Sequence, residues 1–300
     1  MAPQQTWRRG VHRGVRSMIT VAATLAVALA SGAAVATGAA PPMTLYVLDD
    51  TGVGSLAPGT GKLTSLADSH GGYDIAASGP MLFVTRNYDG TVVAVPKTGG
   101  APTVIASGLE VPEAIAARGD TVYVGEWRTG RVLAFPAAGG AARVVAEGID
   151  RPRGITVIDS TLYVSDYGAG RIVAIPAAGG SPRVVTTGLS GPRGITAKGE
   201  TLFIAEFGRD QIVSVPAAGG AATTVATGLS DPRGISAIGS TVYVSEYGYA
   251  SPRILSVPAS GGTPTTVFTY PPPATNSPLA LVAAPSPRAS CTGSVCLPSR

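Results

Sequence analysis

The sequence has 300 residues, of which 45% are hydrophobic and 13% are charged, so it carries enough apolar side chains for a sizeable core. Its 40 Gly and 25 Pro favour many short strands joined by turns over long helices. The 22 Lys+Arg exceed the 18 Asp+Glu only because of the first 40 residues, and the remainder balances at 18 against 18. This balance excludes a basic surface for nucleic acid or anionic membrane, and the composition predicts an all-β protein.

Residues 1–40 have the layout of a secretory signal peptide. Four arginines precede an apolar run that begins at Met18, and small residues continue to Ala40. Such a segment is removed on export, and we expect cleavage between Ala36 and Ala40. An uncleaved anchor is the alternative, because the apolar run approaches membrane-spanning length. The sequence predicts a mature protein that is secreted or associated with the cell envelope, with no membrane segment after cleavage.

A repeat of 40 residues fills most of the remaining chain. Four segments that begin at Thr121, Thr161, Thr201 and Thr241 read TVYVGEW, TLYVSDY, TLFIAEF and TVYVSEY. Each follows a proline segment such as RPRGI and precedes an apolar run that ends in Pro and Gly-Gly, and a β-branched run comes next. Four strands in about 40 residues are typical of a propeller blade, which buries its faces only against neighbouring blades.

Two more divergent copies precede these four and bring the number of copies to six. MLFVTRN begins at Met81, and TLYVLDD begins at Thr44, 37 residues earlier. The Thr44 copy lacks an innermost strand, whereas a matching segment, SPLALVA, begins at Ser277. We therefore predict a six-bladed β-propeller over residues 41–285. Its ring closes when segment 279–283 pairs with the first strand, because closure removes exposed strand edges.

The order of PRGI, YVSD and GRIVAI within a repeat resembles the NHL repeat and its relatives. The resemblance covers roughly residues 44–283. It implies the propeller fold but no single activity, because this group includes scaffolds, ligand-binding sensors, gluconolactonase-like metal hydrolases and streptogramin lyases. Function must therefore be inferred from the site.

Charged residues recur at two strand ends that meet at one face of the predicted propeller. The second residue of PRGI and the acid that ends YVSD are 13 residues apart, so a tight turn sets them roughly opposite each other. The three pairs are Arg153 with Asp166, Arg193 with Glu206, and Arg233 with Glu246. Two interpretations stay open: cross-strand ion pairs that fix the register, or a mouth of the central channel lined by arginines that bind an anionic or carbonyl-rich ligand.

One blade replaces the arginine by a second carboxylate, which sets Glu113 opposite Glu126. We expect Arg86 and Arg153, from the flanking blades, to neutralise this pair. The alternative is that the two carboxylates hold a divalent cation such as Ca²⁺ or Mg²⁺, which would favour a metal-dependent enzyme. No other cofactor is predicted.

One aromatic residue per blade follows the acid. These residues are Trp127, Tyr167, Phe207 and Tyr247. Because neighbouring residues of a strand point to opposite sides, we expect these rings to pack between blades or over loops. An aromatic rim for a sugar or peptide is the alternative.

Side chains typical of nucleophilic or general-base catalysis are scarce after residue 40. The one histidine in this part, His70, lies in the irregular segment DSHGGYD, and no blade motif carries the histidine that the resemblance to the lyases implies. We therefore predict a non-catalytic, monomeric binding module whose partner is an extracellular protein, a peptide or a small polar ligand. A metal-dependent hydrolase, lactonase or lyase is the alternative.

Residues 286–300 form a Pro- and Ser-rich tail. It contains the two cysteines of the chain, Cys291 and Cys296. Because an exported chain meets an oxidising compartment, we predict a disulfide between them and a flexible tail outside this loop.

Overall fold

The computed structural model describes residues 42–57, 59–248, 252–271 and 279–287, together with the backbone of 290–292 and 295–297. The predicted signal peptide lies outside these residues. The described chain consists of strands and turns and includes a short 3₁₀ helix, Phe207–Arg209. Within this part of the chain, no helix is long and apolar enough to cross a membrane.

Six antiparallel sheets of four strands each make up the described chain, and we number them as blades in chain order. Blade 1 begins with β1 (Met43–Asp49), β2 (Gly52–Leu56) and β3 (Leu63–Asp68), and blade 2 consists of β4 (Gly72–Ser78), β5 (Met81–Arg86), β6 (Thr91–Pro96) and β7 (Thr103–Ala106). Blade 3 consists of β8 (Pro112–Arg118), β9 (Thr121–Glu126), β10 (Arg131–Pro136) and β11 (Arg143–Ala146), and blade 4 of β12 (Pro152–Ile158), β13 (Thr161–Asp166), β14 (Arg171–Pro176) and β15 (Arg183–Thr186). Blade 5 consists of β16 (Pro192–Lys198), β17 (Thr201–Glu206), β18 (Gln211–Pro216) and β19 (Thr223–Thr227), and blade 6 of β20 (Pro232–Ile238), β21 (Thr241–Glu246), β22 (Arg253–Pro258) and β23 (Thr265–Thr269).

The C-terminal strands complete the topology. They are β24 (Ala280–Pro285), β25 (Ser290–Thr292) and β26 (Val295–Leu297). β24 pairs with β1 as the fourth strand of blade 1, with Val47 opposite Leu281 and Leu48 opposite Ala280. The prediction that strands from both ends of the chain close the ring is therefore confirmed. β25 and β26 form a separate hairpin in which Cys291 is the backbone partner of Cys296, and the disulfide between them stays a prediction.

Burial follows the position of a strand within its blade. The two middle strands are buried on both faces, as in β13 and β14, because blades pack against each side. Outer strands face solvent on one side, and Val104, Val144 and Val184 lie exposed on three consecutive blades. The aromatic residues inside the second strands are core residues, as predicted. They are Tyr123, Tyr163, Phe203 and Tyr243.

The hydrophobic core is divided into clusters that each join two adjacent blades. One cluster combines Ile155 and Leu162 of blade 4 with Ala114 and Val132 of blade 3. Another crosses the closing seam, where Leu281 packs among residues of blades 1 and 6. A single blade therefore lacks a core of its own and depends on its neighbours for burial.

The first strand of most blades contains an irregularity that shifts its pairing. In blade 4, Pro152 is the partner of Asp166 and Gly154 is the partner of Ser165, so Arg153 is the extra residue of a bulge. Equivalent shifts occur after Pro112, Pro192 and Pro232. The predicted cross-strand pairing of arginine with acid is therefore wrong, because proline occupies the position opposite the acid and the bulge turns the arginine elsewhere.

Candidate functional site

The bulges bring arginines from three consecutive blades to one end of the central channel, which we call the mouth. Arg153, Arg193 and Arg233 line a cavity of about 30 Å³ there, together with Tyr73 and Asp74 of β4. The arginine side chains are only 12–23% exposed. A volume of this size admits a water molecule or the tip of a ligand, whereas a whole ligand would extend above it.

Close approach of the inner strands holds these arginines together. A Cβ atom placed on Gly154 would lie 2.5 Å from the carbonyl oxygen of Arg193 in the next blade. A Cβ atom placed on Gly194 would lie equally close to the carbonyl oxygen of Arg233. The glycine of each PRGI segment therefore allows neighbouring inner strands to approach where the mouth narrows into the channel.

Each arginine stacks on the aromatic residue that follows the acid of its own blade. The guanidinium carbon lies 4.7 Å from the ring centroid of Tyr167 for Arg153 and 3.8 Å from that of Phe207 for Arg193. The distance from Arg233 to the ring of Tyr247 is 3.5 Å. These three rings therefore pack against arginines of their own blades, a contact that was not predicted, and the stacking restricts the guanidinium groups.

Carboxylates at the mouth partly neutralise the arginines, mostly across the boundary between two blades. Arg153 Nε lies 3.1 Å from Glu113 Oε2, and an Arg153 guanidinium nitrogen also donates to the Tyr73 hydroxyl. Asp231 forms ion pairs with both Arg193 and Arg233, the latter at 3.1 Å. The mouth therefore holds three guanidinium groups against these two carboxylates, with Asp74 as a further acid.

Three buried polar atoms at the mouth lack an aligned hydrogen-bond partner among the described residues. They are Arg153 Nε, Arg193 Nε and Glu113 Oε2. The first and third form an ion pair by distance, but their geometry is not that of a hydrogen bond. Buried polar atoms are normally satisfied, so these three atoms are exceptions within the group of charged residues at the mouth.

Burial perturbs the acid–base behaviour of the mouth. Loss of hydration raises the pKa of Asp74 to about 7, although Asp74 accepts hydrogen bonds from the backbone amides of Ile75 and Ile115. Burial also raises the pKa of Glu113, and Arg153 opposes this shift. For Tyr73, burial raises the pKa to about 12, so its hydroxyl keeps its proton near neutral pH.

The acids that end the second strands do not face the mouth. Asp166, Glu206 and Glu246 are at most 1% exposed, and each pairs with an arginine of its own blade. Their partners are Arg171, Arg209 and Arg253, respectively. Glu206 and Glu246 also accept backbone N–H groups from the loop before the first strand of their blade. Glu206 and Glu246 therefore stabilise these loops, and none of the three acids pairs with Arg153, Arg193 or Arg233.

Glu113 and Glu126 are likewise directed to different partners. Glu126 Oε2 lies 2.7 Å from Arg131 and also accepts a hydrogen bond from Thr129, whereas Glu113 contacts Arg153. Arg153 thus neutralises Glu113 as expected, but Arg131 takes the place that was predicted for Arg86. The Nε atom of Arg86 is buried and has no hydrogen-bond partner in the described chain.

The described residues contain no group of three or more His, Cys, Asp or Glu side chains with the spacing of a metal site. His70 is exposed, and its ring lies 3.4 Å from the carboxylate of Asp68. The repeat pattern predicts the three arginines and Glu113 at the mouth, and it places Tyr73 at the equivalent position of its blade, opposite Arg86. Asp74 and Asp231 are the residues of the mouth that the pattern does not reveal. The missed signals are Asp74 in place of the glycine of PRGI and Asp231 directly before a PRGI segment.

Beyond the mouth, the inner strands enclose a central channel with a cavity of about 290 Å³. Asp74 lines both this cavity and the mouth. Most of the channel wall consists of residues such as Ile115, Ile155 and Ile195. The charged residues of the channel wall lie at its two ends, Asp74 at the mouth and Arg118 at the opposite end.

These observations define a six-bladed β-propeller with an arginine-lined channel mouth. Its fold is similar to that in the crystal structure of a nidogen/laminin complex, with a TM-score of 0.71, 19% identity, and coverage of 81% of this chain and 99% of that chain. It is also similar to a streptogramin B lyase structure, with a TM-score of 0.55, 15% identity, and coverage of 77% and 75%. A catalytically inactive virginiamycin B lyase from Staphylococcus aureus with quinupristin gives a TM-score of 0.56, 17% identity, and coverage of 76% and 85%.

No protein-family model matches the chain, and no curated protein sequence matches it. At these identities, the structural similarities establish the fold alone. The residues of the mouth are therefore the basis for inferring a function.

Proposed function

We propose that the protein is a secreted or cell-envelope, non-catalytic propeller of the NHL type that binds an anionic group of a ligand or partner protein at the channel mouth. The convergence of three guanidinium groups on one cavity carries this proposal. Guanidinium groups match the planar geometry of a carboxylate and donate two hydrogen bonds to it. The cavity admits only the tip of a ligand, which suits the end of an acidic side chain or a chain terminus.

Charge and preorganisation support an anionic ligand. Glu113 and Asp231 offset two of the three arginines, so one positive charge is left when Asp74 is protonated. Stacking on Tyr167, Phe207 and Tyr247 restricts the arginines before a ligand arrives, which lowers the entropy lost on binding. The three arginines line one cavity, so an anionic group that enters it meets all three side chains.

A peptide-display selection on the purified protein tests the proposal. We expect the selected peptides to share an Asp, a Glu or a free C-terminal carboxylate, and synthetic versions in which this group is an amide should bind at least about tenfold more weakly. Arg193→Met should cause a similar loss. The matched control is Arg183→Met on outer strand β15, where the guanidinium contacts only backbone carbonyls.

The melting temperature of each variant shows whether it folds. Selected peptides that bind folded Arg193→Met as tightly as the parent protein would overturn the proposal. Raising the salt concentration should weaken binding to the parent protein, because one charged group supplies much of the interaction.

The alternative function, metal-dependent hydrolysis or lysis, makes a different prediction. If Glu113 holds a catalytic cation, one metal of a Mg²⁺, Ca²⁺, Mn²⁺ and Zn²⁺ panel should raise the melting temperature, and Glu113→Gln should abolish that rise. We expect no metal-specific rise that depends on Glu113, because the Arg153 guanidinium already neutralises its carboxylate.

A further inference from the structure

A third cavity lies at the opposite end of the inner strands from the mouth, between blades 1 and 2. Its volume is about 660 Å³, within the range that small organic ligands occupy. The turn between β4 and β5, the end of β6 and the end of β24 form its wall. We call it the seam cavity, because β24 is the strand that closes the ring.

Lys97 is the distinctive residue of the seam cavity. It occupies the position that Ala137, Ala177 and Ala217 fill in other blades, where the sequence reads PAAGG instead of PKTGG. The residue is 6% exposed, and its ammonium group lies 5.8 Å from the centroid of the Tyr46 ring. A long cationic side chain has therefore replaced a methyl group at a buried position of the repeat.

The charge of Lys97 has no carboxylate partner among the described residues. Burial alone accounts for the lowering of its pKa, and no nearby acid opposes that shift. An ammonium group that is partly removed from water is stabilised by a paired anion, and the ring of Tyr46 offers only a cation–π contact. The seam cavity therefore presents a cation that an incoming anion would satisfy.

The remaining wall is mainly apolar. Pro80, Met81, Pro96 and Pro285 line it. We propose that the seam cavity binds a small organic monocarboxylate, whose carboxylate pairs with Lys97 and whose hydrocarbon body packs against the prolines and Met81. One cation among apolar groups matches a single negative charge on an apolar body, whereas a dianion would leave charge unpaired.

A titration with octanoate and 1-octanol separates the charge from the hydrocarbon. We expect saturable binding of octanoate to the intact chain and a loss of about tenfold or more in Lys97→Met, which keeps a side chain of similar length without the charge. The affinity for 1-octanol should change little. Lys198→Met, at an exposed lysine on the same fold, is the matched control and should bind octanoate like the parent protein.

Lysine labelling places the ligand without relying on a variant that folds. The chain has three lysines, Lys62, Lys97 and Lys198, and the first and third are exposed. Saturating octanoate should slow acylation of Lys97, followed by mass spectrometry, and leave the other two rates unchanged. Because the acylation rate is measured at Lys97, octanoate that binds at the arginine-lined mouth does not change it. Unchanged acylation of Lys97 at saturating octanoate would overturn the proposal.

Discussion

Replacing Leu281 by alanine tests how much the C-terminal strand contributes to the ring. Leu281 is 4% exposed, and it packs among Leu45, Val47 and Tyr243, which come from the two blades that meet at the seam. Truncation of a buried leucine costs about 2–5 kcal/mol, and more when the surroundings cannot collapse into the space. Because two different sheets anchor the neighbours of Leu281, we expect a cost in the upper half of that range.

In a fold of this size each kcal/mol lowers the melting temperature by about 2–4 °C, so the expected fall is about 7–20 °C. Differential scanning calorimetry of Leu281→Ala measures it. Val104→Ala is the control, because Val104 is 56% exposed on an outer strand and its truncation should cost within about 0.5 kcal/mol. A Leu281→Ala melt within 2 °C of the control, on the order of 1 kcal/mol or less, would refute the reasoning.

Three further predictions concern the mouth, the inner strands and the tail. The folded Asp74 carboxyl keeps its proton up to a pKa of about 7, against 3.8 for the ordinary group, so its contribution makes the fold less stable as pH rises from 4 to 7. Asp74→Asn should remove this dependence of the unfolding free energy on pH, which amounts to at most about 4 kcal/mol between pH 4 and pH 7. Urea unfolding at the two pH values measures it, and a pH dependence in Asp74→Asn equal to that of the parent protein would contradict the prediction. Gly154→Ala should cost about 1–3 kcal/mol in the same assay, because its Cβ atom would lie 2.5 Å from the Arg193 carbonyl; a neutral effect would mean that the strands separate freely. Mass spectrometry of the exported protein should show the mass of a Cys291–Cys296 disulfide, and two alkylatable thiols would rule the bond out.

The fold was predictable because the strand pattern of one blade recurs along the chain. Similar strand patterns at intervals of 40 residues define the blades. Because a single blade cannot bury its faces, it requires neighbouring blades. The incomplete first copy at Thr44 and the unpaired segment at Leu279 also fit together by elimination. Closure of the ring thus follows from a comparison of repeats, and the pairing of β1 with β24 confirms it.

The contacts of the mouth were harder to predict because they run between blades. A comparison within one repeat suggests Arg153 with Asp166, whereas Arg153 contacts Glu113, the residue at the same position one blade earlier. The change of partner comes from the bulge after Pro152, where the register moves by one residue. Blade 2 has the same bulge after Gly72, so it does not depend on proline. A repeating pattern of residue types predicts the strands of a blade, but it does not reveal this local change in strand register.

Asp231 illustrates the same limit. Its position before the proline is Arg151 in blade 4 and Gly191 in blade 5, so it looks like a variable loop residue. In the structure, its backbone adopts a left-handed conformation with φ of 49°, and its carboxylate pairs with Arg193 and Arg233. Its role depends on where the turn places it, which cannot be read from the repeat.

The pairing of β1 with β24 also determines how the molecule responds to a pulling force. The two strands are antiparallel, and Met43 faces Pro285 at the end where both strands join their terminal segments. Just beyond that pair, the amide of Ser286 donates to the carbonyl of Pro42 at 2.9 Å. A load applied between the flanking segments therefore acts along the hydrogen bonds and breaks them one pair at a time, from Pro42 towards Leu48. The ring should open by unzipping at its seam at low force, while the other five blades stay folded.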